Sequence, residues 1–442
     1  MKNLLEQLGY NVISDENTLM MPEWLAWYKG YIQKVHDYKV YNGKKHITQK
    51  RAQLRMGKRV CEDWANMLLN EKVSITVGTE NLTRHIHSIL DNNQFRKRAN
   101  QLIELTFALG TGAFVEFKEG DKVNIDYVTA DKIYPLSCDN GEITECAFTS
   151  IKMISGEKHY YINVHKKNEK GFYIVENYLF DKNKKRCDLP DGVMDVIETK
   201  SSIPLYQIIM PNITSNTCID AVMGMSVLAN SLDVLKSIDI VFDSYINEFV
   251  LGKKRIMIPM SMAQFKDTEG EIRPVFDAND VAFYGIEDNE TNGIKEIDMN
   301  LRATEHDAAL KQNLNLLSEK CGFGAGHYEY DRNHGVKTAT EVVSEKSDLF
   351  RNLKKHELVL SSAIRGMIYA IMVLEGLSLD NVAIEIDFDD SIIEDRKAEF
   401  SERSQLVNMG VMSPIEMRVW YLNETKEQAE KAIAEMANIP EE

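Results

Sequence analysis

The sequence predicts an α+β fold, and three observations carry that reading. Segments rich in Val, Ile and Tyr, separated by turn residues, crowd the region between residues 112 and 210. After residue 217, apolar residues recur every three or four positions over long stretches, the period of an amphipathic helix. The composition, 44% apolar and 27% charged, is that of an ordinary globular chain, and 442 residues suffice for roughly two to four domains.

Charge limits function first. Lys and Arg number 52 against 68 Asp and Glu, a net charge of -16. A chain this acidic is poorly suited to gripping duplex DNA, which requires clustered cations to neutralise phosphates. The six cysteines, Cys61, Cys138, Cys146, Cys187, Cys218 and Cys321, include no C-x-x-C pair. They read as reduced, mostly buried thiols of a cytosolic protein. Glu6 interrupts the N-terminus before a signal-peptide core develops, and the apolar run Gly366 to Leu374 is far shorter than the ~18 residues of a membrane span. A soluble protein with no membrane partner is expected.

Along the chain, the first feature is a basic run. Lys29, Lys34, Lys39, Lys44, Lys45, Lys50, Arg51, Arg55, Lys58 and Arg59 face a single acid, Asp37, so the run carries +9 and the remainder about -25. Such a run is ordinarily a solvated face; an acidic neighbour or DNA is the sharper alternative. Val60, Trp64, Met67 and Leu68 show helical spacing, and residues 86–107 continue in the same style. Strands follow at 112–117 and 123–128, then at 160–164, 172–179 and 205–210. Asp139-Asn140-Gly141-Glu142 marks a hairpin turn, because Asn-Gly tolerates positive φ.

The character changes after Thr217. Leu228, Leu232, Leu235, Ile238, Phe242, Tyr245 and Phe249 predict an amphipathic helix of about eight turns, ending near Gly252. A small β-rich insert occupies 255–286, and a second helix spans about 300–320. Cys321-Gly322-Phe323-Gly324-Ala325-Gly326 breaks that helix, and an irregular loop without a packed core is expected to reach Val336. Thr338-Ala339-Thr340-Glu341 has the form of a capping box, with Thr338 and Glu341 as its members, and opens a very long helix ending near Gly376. A strand at 382–388 precedes helices announced by Ser413-Pro414-Ile415-Glu416 and Thr425-Lys426-Glu427-Gln428.

Catalytic chemistry is not evident. The glycines at 322, 324 and 326 follow a helix rather than a strand, the wrong context for a phosphate cradle, and no G-x-x-x-x-G-K-[ST] occurs. Asp387-Phe388-Asp389-Asp390 has the clustered carboxylates of a two-metal nuclease site, but on a strand Asp387 and Asp389 share one face while Asp390-Ser391 reads as a helix cap. His85 and His87 diverge on a helix. No G-x-S-x-G elbow occurs. No catalytic, cofactor-binding or metal-binding residue is assigned, and the chain does not read as an enzyme.

Taken in order, these pieces resemble the portal (head-to-tail connector) proteins of tailed bacteriophages. The resemblance rests on Leu109-Gly110-Thr111-Gly112-Ala113, Ala130-Asp131-Lys132-Ile133-Tyr134-Pro135, Ser237-Ile238-Asp239 through Asn247-Glu248-Phe249, and Leu316-Leu317-Ser318-Glu319-Lys320-Cys321-Gly322-Phe323-Gly324. It extends to Thr338-Ala339-Thr340-Glu341-Val342, Phe388-Asp389-Asp390-Ser391-Ile392-Ile393 and Gly410-Val411-Met412-Ser413-Pro414. The resemblance covers nearly the whole chain.

The resemblance implies a portal-like division into a wing (1–218), stem helices (219–255 and 300–321), a β-rich clip (256–299), a tunnel loop (322–337) and a long helix with a crown (338–442). It implies a ring, typically of twelve subunits, at one capsid vertex of the virion, assembled in the host cytoplasm. Its partners would be the terminase motor, the head-tail connector, the major capsid or scaffolding protein, and double-stranded DNA passing through the tunnel. Twelve copies at -16 each would give the ring about -192, a lining along which DNA slides with few fixed contacts. Arg332, His334 and Lys337 are the DNA-tunnel candidates, and Gly322, Gly324 and Gly326 the loop hinge. A tail adaptor or baseplate component, or a metal-dependent nuclease, are the alternatives.

Overall fold

In the computed structural model, the described residues are 1–41, 45–190, 192–251, 255–259, 264–266, 272–274, 283–286, 295–297, 300–328, 339–388, 396–422 and 424–437. Helices α1 (Lys2–Gln7), α2 (Glu16–Lys29) and α3 (Gln33–His36) lead into a hairpin of β1 (Asp37–Tyr41) and β2 (His46–Lys50). Next come α4 (Met56–Leu68), β3 (Ser74–Val77), α5 (Glu80–Asn92) and α6 (Phe95–Leu109).

The helical pattern through 86–107 is two helices, α5 and α6. Gln94 turns the backbone to a positive φ of 50°. Asn93 caps the first of the two: its backbone N–H still donates to Ile89 O at 3.1 Å, its side-chain N–H groups donate to Ile89 O and Val123 O, and its Oδ1 accepts from Ile125 N–H at 2.8 Å. A side chain so well bonded to a neighbouring strand breaks the helix where periodicity alone marks no boundary.

Two antiparallel sheets follow. The strands are β4 (Gly112–Glu119), β5 (Lys122–Thr129), β6 (Ile133–Asp139), β7 (Glu142–Ile154), β8 (Glu157–Lys167), β9 (Tyr173–Phe180), β10 (Arg186–Cys187), β11 (Val196–Glu198) and β12 (Tyr206–Ile209). One sheet runs β10-β9-β8-β7-β6, with β11 also on β9; the other runs β12-β4-β5. The Asn-Gly turn is as the sequence predicts, with φ of 48° at Asn140 and 81° at Gly141.

The helix expected from residue 219 begins later, as α7 (Leu232–Leu251). The backbone N–H groups before it are already committed to residues earlier in the chain. Asp15 Oδ2 accepts from Val222 and Met223 N–H at 2.7 and 2.8 Å, Thr111 Oγ1 from Gly224, and Phe107 O from Val227. Met223, Met225, Val227 and Leu228 are buried there, so this stretch is a strap across the core.

Among the described residues, five short strands lie between α7 and the next helix: β13 (Arg255–Pro259), β14 (Gln264–Lys266), β15 (Ile272–Pro274), β16 (Phe283–Ile286) and β17 (Lys295–Ile297). β13 lies between a parallel β16 and an antiparallel β17, and β14 pairs with β15. Helix α8 (Ala303–Lys320) returns antiparallel to α7, and α9 (Ala339–Glu375) runs for 37 residues. β18 (Ile384–Asp387) pairs with β3 near the other end of the chain, and α10 (Arg396–Asn408), α11 (Pro414–Leu422) and α12 (Lys426–Ala437) complete the fold.

The stretch Ser347–Glu375 of α9 is long and apolar enough to cross a membrane by length and composition. Here its stripe of Leu353, Leu360, Ile364, Met367 and Ile371 is buried against α4, α6 and the β12-β4-β5 sheet, at the centre of the main core. The caps of the last helices have the predicted partners. Glu416 accepts from Ser413 N–H at 2.8 Å, and Gln428 Oε1 from Thr425 N–H at 3.0 Å. All six cysteines are free; Cys61, Cys146 and Cys321 are buried, and the other three are partly exposed.

Candidate functional site

The glycine segment after α8 is anchored more firmly than its sequence suggests. Gly322, Gly324 and Gly326 all have positive φ, at 86°, 78° and 80°. They turn the chain so that Phe323 is buried and stacked on Trp64, ring centroids 4.8 Å apart, with His327 also stacked on Phe323 at 4.3 Å. Trp64 Nε1 donates to Cys321 O at 3.0 Å, and Asn352 Nδ2 donates to Gly322 O at 2.9 Å. Tyr328 donates to Asp63, which also holds Arg59 at 3.0 Å. The loop expected to lack a packed core from residue 322 therefore has one as far as Tyr328. Arg332, His334, Lys337 and Thr338 lie outside the described residues, as does the side chain of Glu341.

His356 on α9 extends this anchor. It meets the edge of Trp64 at 4.8 Å and accepts from Asn212 N–H through Nδ1 at 3.0 Å. Burial, with Lys355 nearby, pushes its pKa down to about 3, so it is neutral. Cys321 is likewise kept as an inert thiol, its pKa raised to about 12 by burial.

Helices α7 and α8 form an antiparallel pair with two unlike ends. At the inner end Val234, Leu235, Ile238, Leu314 and Leu317 are buried, and Lys320 Nζ donates to Asn230 O. At the outer end Arg302 grips Glu248 through two side-chain donors at 2.9 and 3.1 Å, and its backbone N–H adds a third. Those hydrogen bonds, the Arg302 side chain first, lower the Glu248 pKa to about 2. The same end leaves Ile246, Phe249, Val250 and Leu301 in solvent, with Ile240 and Leu316 exposed further along the pair.

The basic run folds into α3, the β1–β2 hairpin and the chain entering α4, and α7 holds it in place. His36 Nδ1 accepts from Ile32 N–H, and its Nε2 donates to Asp239 Oδ2 at 3.0 Å. Asp239 Oδ1 accepts from Leu54 N–H, and one helical turn on Asp243 Oδ1 accepts from Ala52 N–H, both at 2.8 Å. Arg51 lies 3.7 Å from Asp243. The sequence reading identified the cations but not these aspartates. The available signal was two acids four residues apart beside the apolar stripe of a helix.

The remaining motifs do not converge. His85 faces Glu375 and His87 faces Ile75 O, in keeping with their predicted divergence. Asp387 is exposed while Phe388 packs toward the core; Asp389 and Asp390 lie outside the described residues. Among the described residues no three His, Cys, Asp or Glu side chains are placed to share a metal.

No curated protein matches the chain. Solved structures similar in fold include "Virion of native gene transfer agent (GTA) particle", 12% identical with a TM-score of 0.41, covering 82% of this chain and 88% of that one. A second is "Neck of empty GTA particle computed with C6 symmetry", 13% identical with a TM-score of 0.42, covering 82% and 89%. The family described as "Phage portal protein, SPP1 Gp6-like" matches residues 12–441, from before α2 to the end of the chain. With that match spanning every element from α2 onward, the chain belongs to the phage portal protein family.

Proposed function

We propose that the chain is the subunit of a portal ring of about twelve copies at one capsid vertex, a conduit for DNA entering and leaving the head. Family membership supports this reading. The observation that carries it is the α7–α8 pair, which leaves Ile246, Phe249, Val250 and Leu301 exposed at one end. A helical pair with more apolar surface than it can bury is completed by neighbours, and identical neighbours related by rotation close a ring.

In this scheme α7 and α8 are the stem, residues 256–299 the clip, and the preceding α+β region the wing. Residues 322–337 are the tunnel loop, and α9 leads to a crown. The clip would meet the terminase motor during packaging and the head-tail connector afterwards, with the wing toward the capsid or scaffolding protein. Arg332, His334 and Lys337 are the proposed phosphate contacts of an otherwise acidic tunnel.

Light scattering with negative-stain imaging of the purified chain tests the reading. Rings with a mass near twelve times 50.6 kDa are expected. A monomer at every concentration, with and without scaffolding protein, would overturn it.

A further inference from the structure

We propose that the basic β1–β2 hairpin and its flanks dock on an acidic face of the next copy of this chain; the proposal rests on the ring reading above.

The argument begins with where the charge lies. The run from Lys29 to Arg59 carries +9 within a chain of -16, so the complementary charge lies elsewhere on the same chain. Contacts within one subunit satisfy only part of it. Lys58 pairs with Glu104 at 2.6 Å and Arg59 with Asp63 at 3.0 Å. Lys34, Lys39 and Arg55 are exposed, and among the described residues none has a carboxylate within ion-pair distance. Lys50 is exposed as well and lies over the Tyr31 ring at 5.6 Å.

The surface is also held rigid before any partner arrives. Asp239 and Asp243 fasten both flanks of the hairpin to α7 through His36, Ala52 and Leu54. Gly30 and Arg55 interlock beside it. Gly30 has a φ of 77°, and a Cβ there would sit 2.6 Å from Arg55 Cγ. Little ordering entropy then remains to oppose docking.

A ring explains why one chain carries both charges. Its interfaces are heterologous, so one patch of each subunit meets a different patch of the next, and the two must be complementary. The hairpin surface suits a protein better than phosphates. Cations on one face, Lys39 beside Thr48 and Lys50 beside Asp37, are backed by half-buried Val40 and Ile47, with Tyr41 exposed beside His46. Tyr41, exposed on the cation face, is the aromatic residue that interfaces between proteins favour, and the cations around it form a charged rim that sets register.

Carbodiimide cross-linking of rings assembled from equal amounts of unlabelled and 15N-labelled chain, read by mass spectrometry, tests the proposal. Mixed light–heavy cross-links from Lys34, Lys39 or Lys50 to Asp or Glu are expected. The variant Lys34→Glu/Lys39→Glu should keep the parent melting temperature, since both side chains are exposed and neither faces a carboxylate across the hairpin. It should need at least tenfold more protein to form rings, and 0.5 M salt should narrow that gap. Intact rings whose hairpin lysines link only within one chain would overturn the proposal and leave the ring reading standing. A variant that assembles like the parent but loses retention of a duplex oligonucleotide would also overturn it and make DNA the partner. If the parent forms no ring under any condition, the ring reading fails and the proposal falls with it.

Discussion

Phe323 lies flat against Trp64, their ring centroids 4.8 Å apart and their planes 22° from parallel. The contact joins the first turn of the glycine loop to α4, more than 250 residues earlier in the chain. It makes the loop root part of the main core. Phe323→Ala should therefore cost about 3–5 kcal/mol, the usual penalty for emptying a buried aromatic site. A urea unfolding midpoint within error of the parent would show that the stack contributes nothing.

Gly110 and Gly224 meet backbone to backbone. A Cβ on either would lie 2.2 Å from the carbonyl oxygen of the other. Alanine at either position should cost roughly 3 kcal/mol or more, because backbone on both sides must move. Gly120→Ala is the control: its φ is 60° but its Cβ would meet nothing within 4 Å, so only conformational strain of about 1 kcal/mol remains. Equal melting temperatures for the three variants would refute the close approach.

Asp239 holds two donors, the buried His36 Nε2 and the partly buried Leu54 N–H. Asp239→Ala leaves both without an acceptor, and about 2–4 kcal/mol of stability should be lost. Limited trypsin digestion should then cut between Lys34 and Arg51 well before the rest of the chain unfolds. Unchanged cleavage kinetics there would show that the hairpin is not held by α7.

Stability should fall in mild acid. Burial pushes both His165 and His356 down to about 3, below the ordinary 6.5 they regain on unfolding. Between those values the unfolded chain binds the extra protons, so the contribution is complete above pH 6.5 and declines as pH drops. The decline approaches about 1.4 kcal/mol per pH unit for each histidine. Melting at pH 7.5 and 5.0 measures the slope, and His356→Gln should reduce it. A slope identical in parent and variant would mean His356 does not titrate in this way.

The readable parts of the chain share one property, that their cause lies within about one turn of the residue concerned. The caps at Ser413 and Thr425 join partners three positions apart. The Asn140-Gly141 turn depends on backbone freedom at two residues, and the α9 stripe on spacing along a single helix. The basic run was equally plain, since it is a matter of composition. These local features, in order, also carried the resemblance to the portal family that the match over residues 12–441 bears out.

Tertiary structure decided whatever depends on a distant partner. Strand β18 was visible as an alternating segment, but its pairing with β3 joins residues some 310 positions apart and leaves no local mark. The start of α7 shifted from 219 to 232 because Asp15, Thr111 and Phe107 O take the intervening N–H groups. The loop after Cys321 gained a core only because Trp64 presents a face to Phe323. Periodicity and capping record what a segment can do alone. Which N–H groups and apolar faces are already taken is settled only when the chain closes on itself.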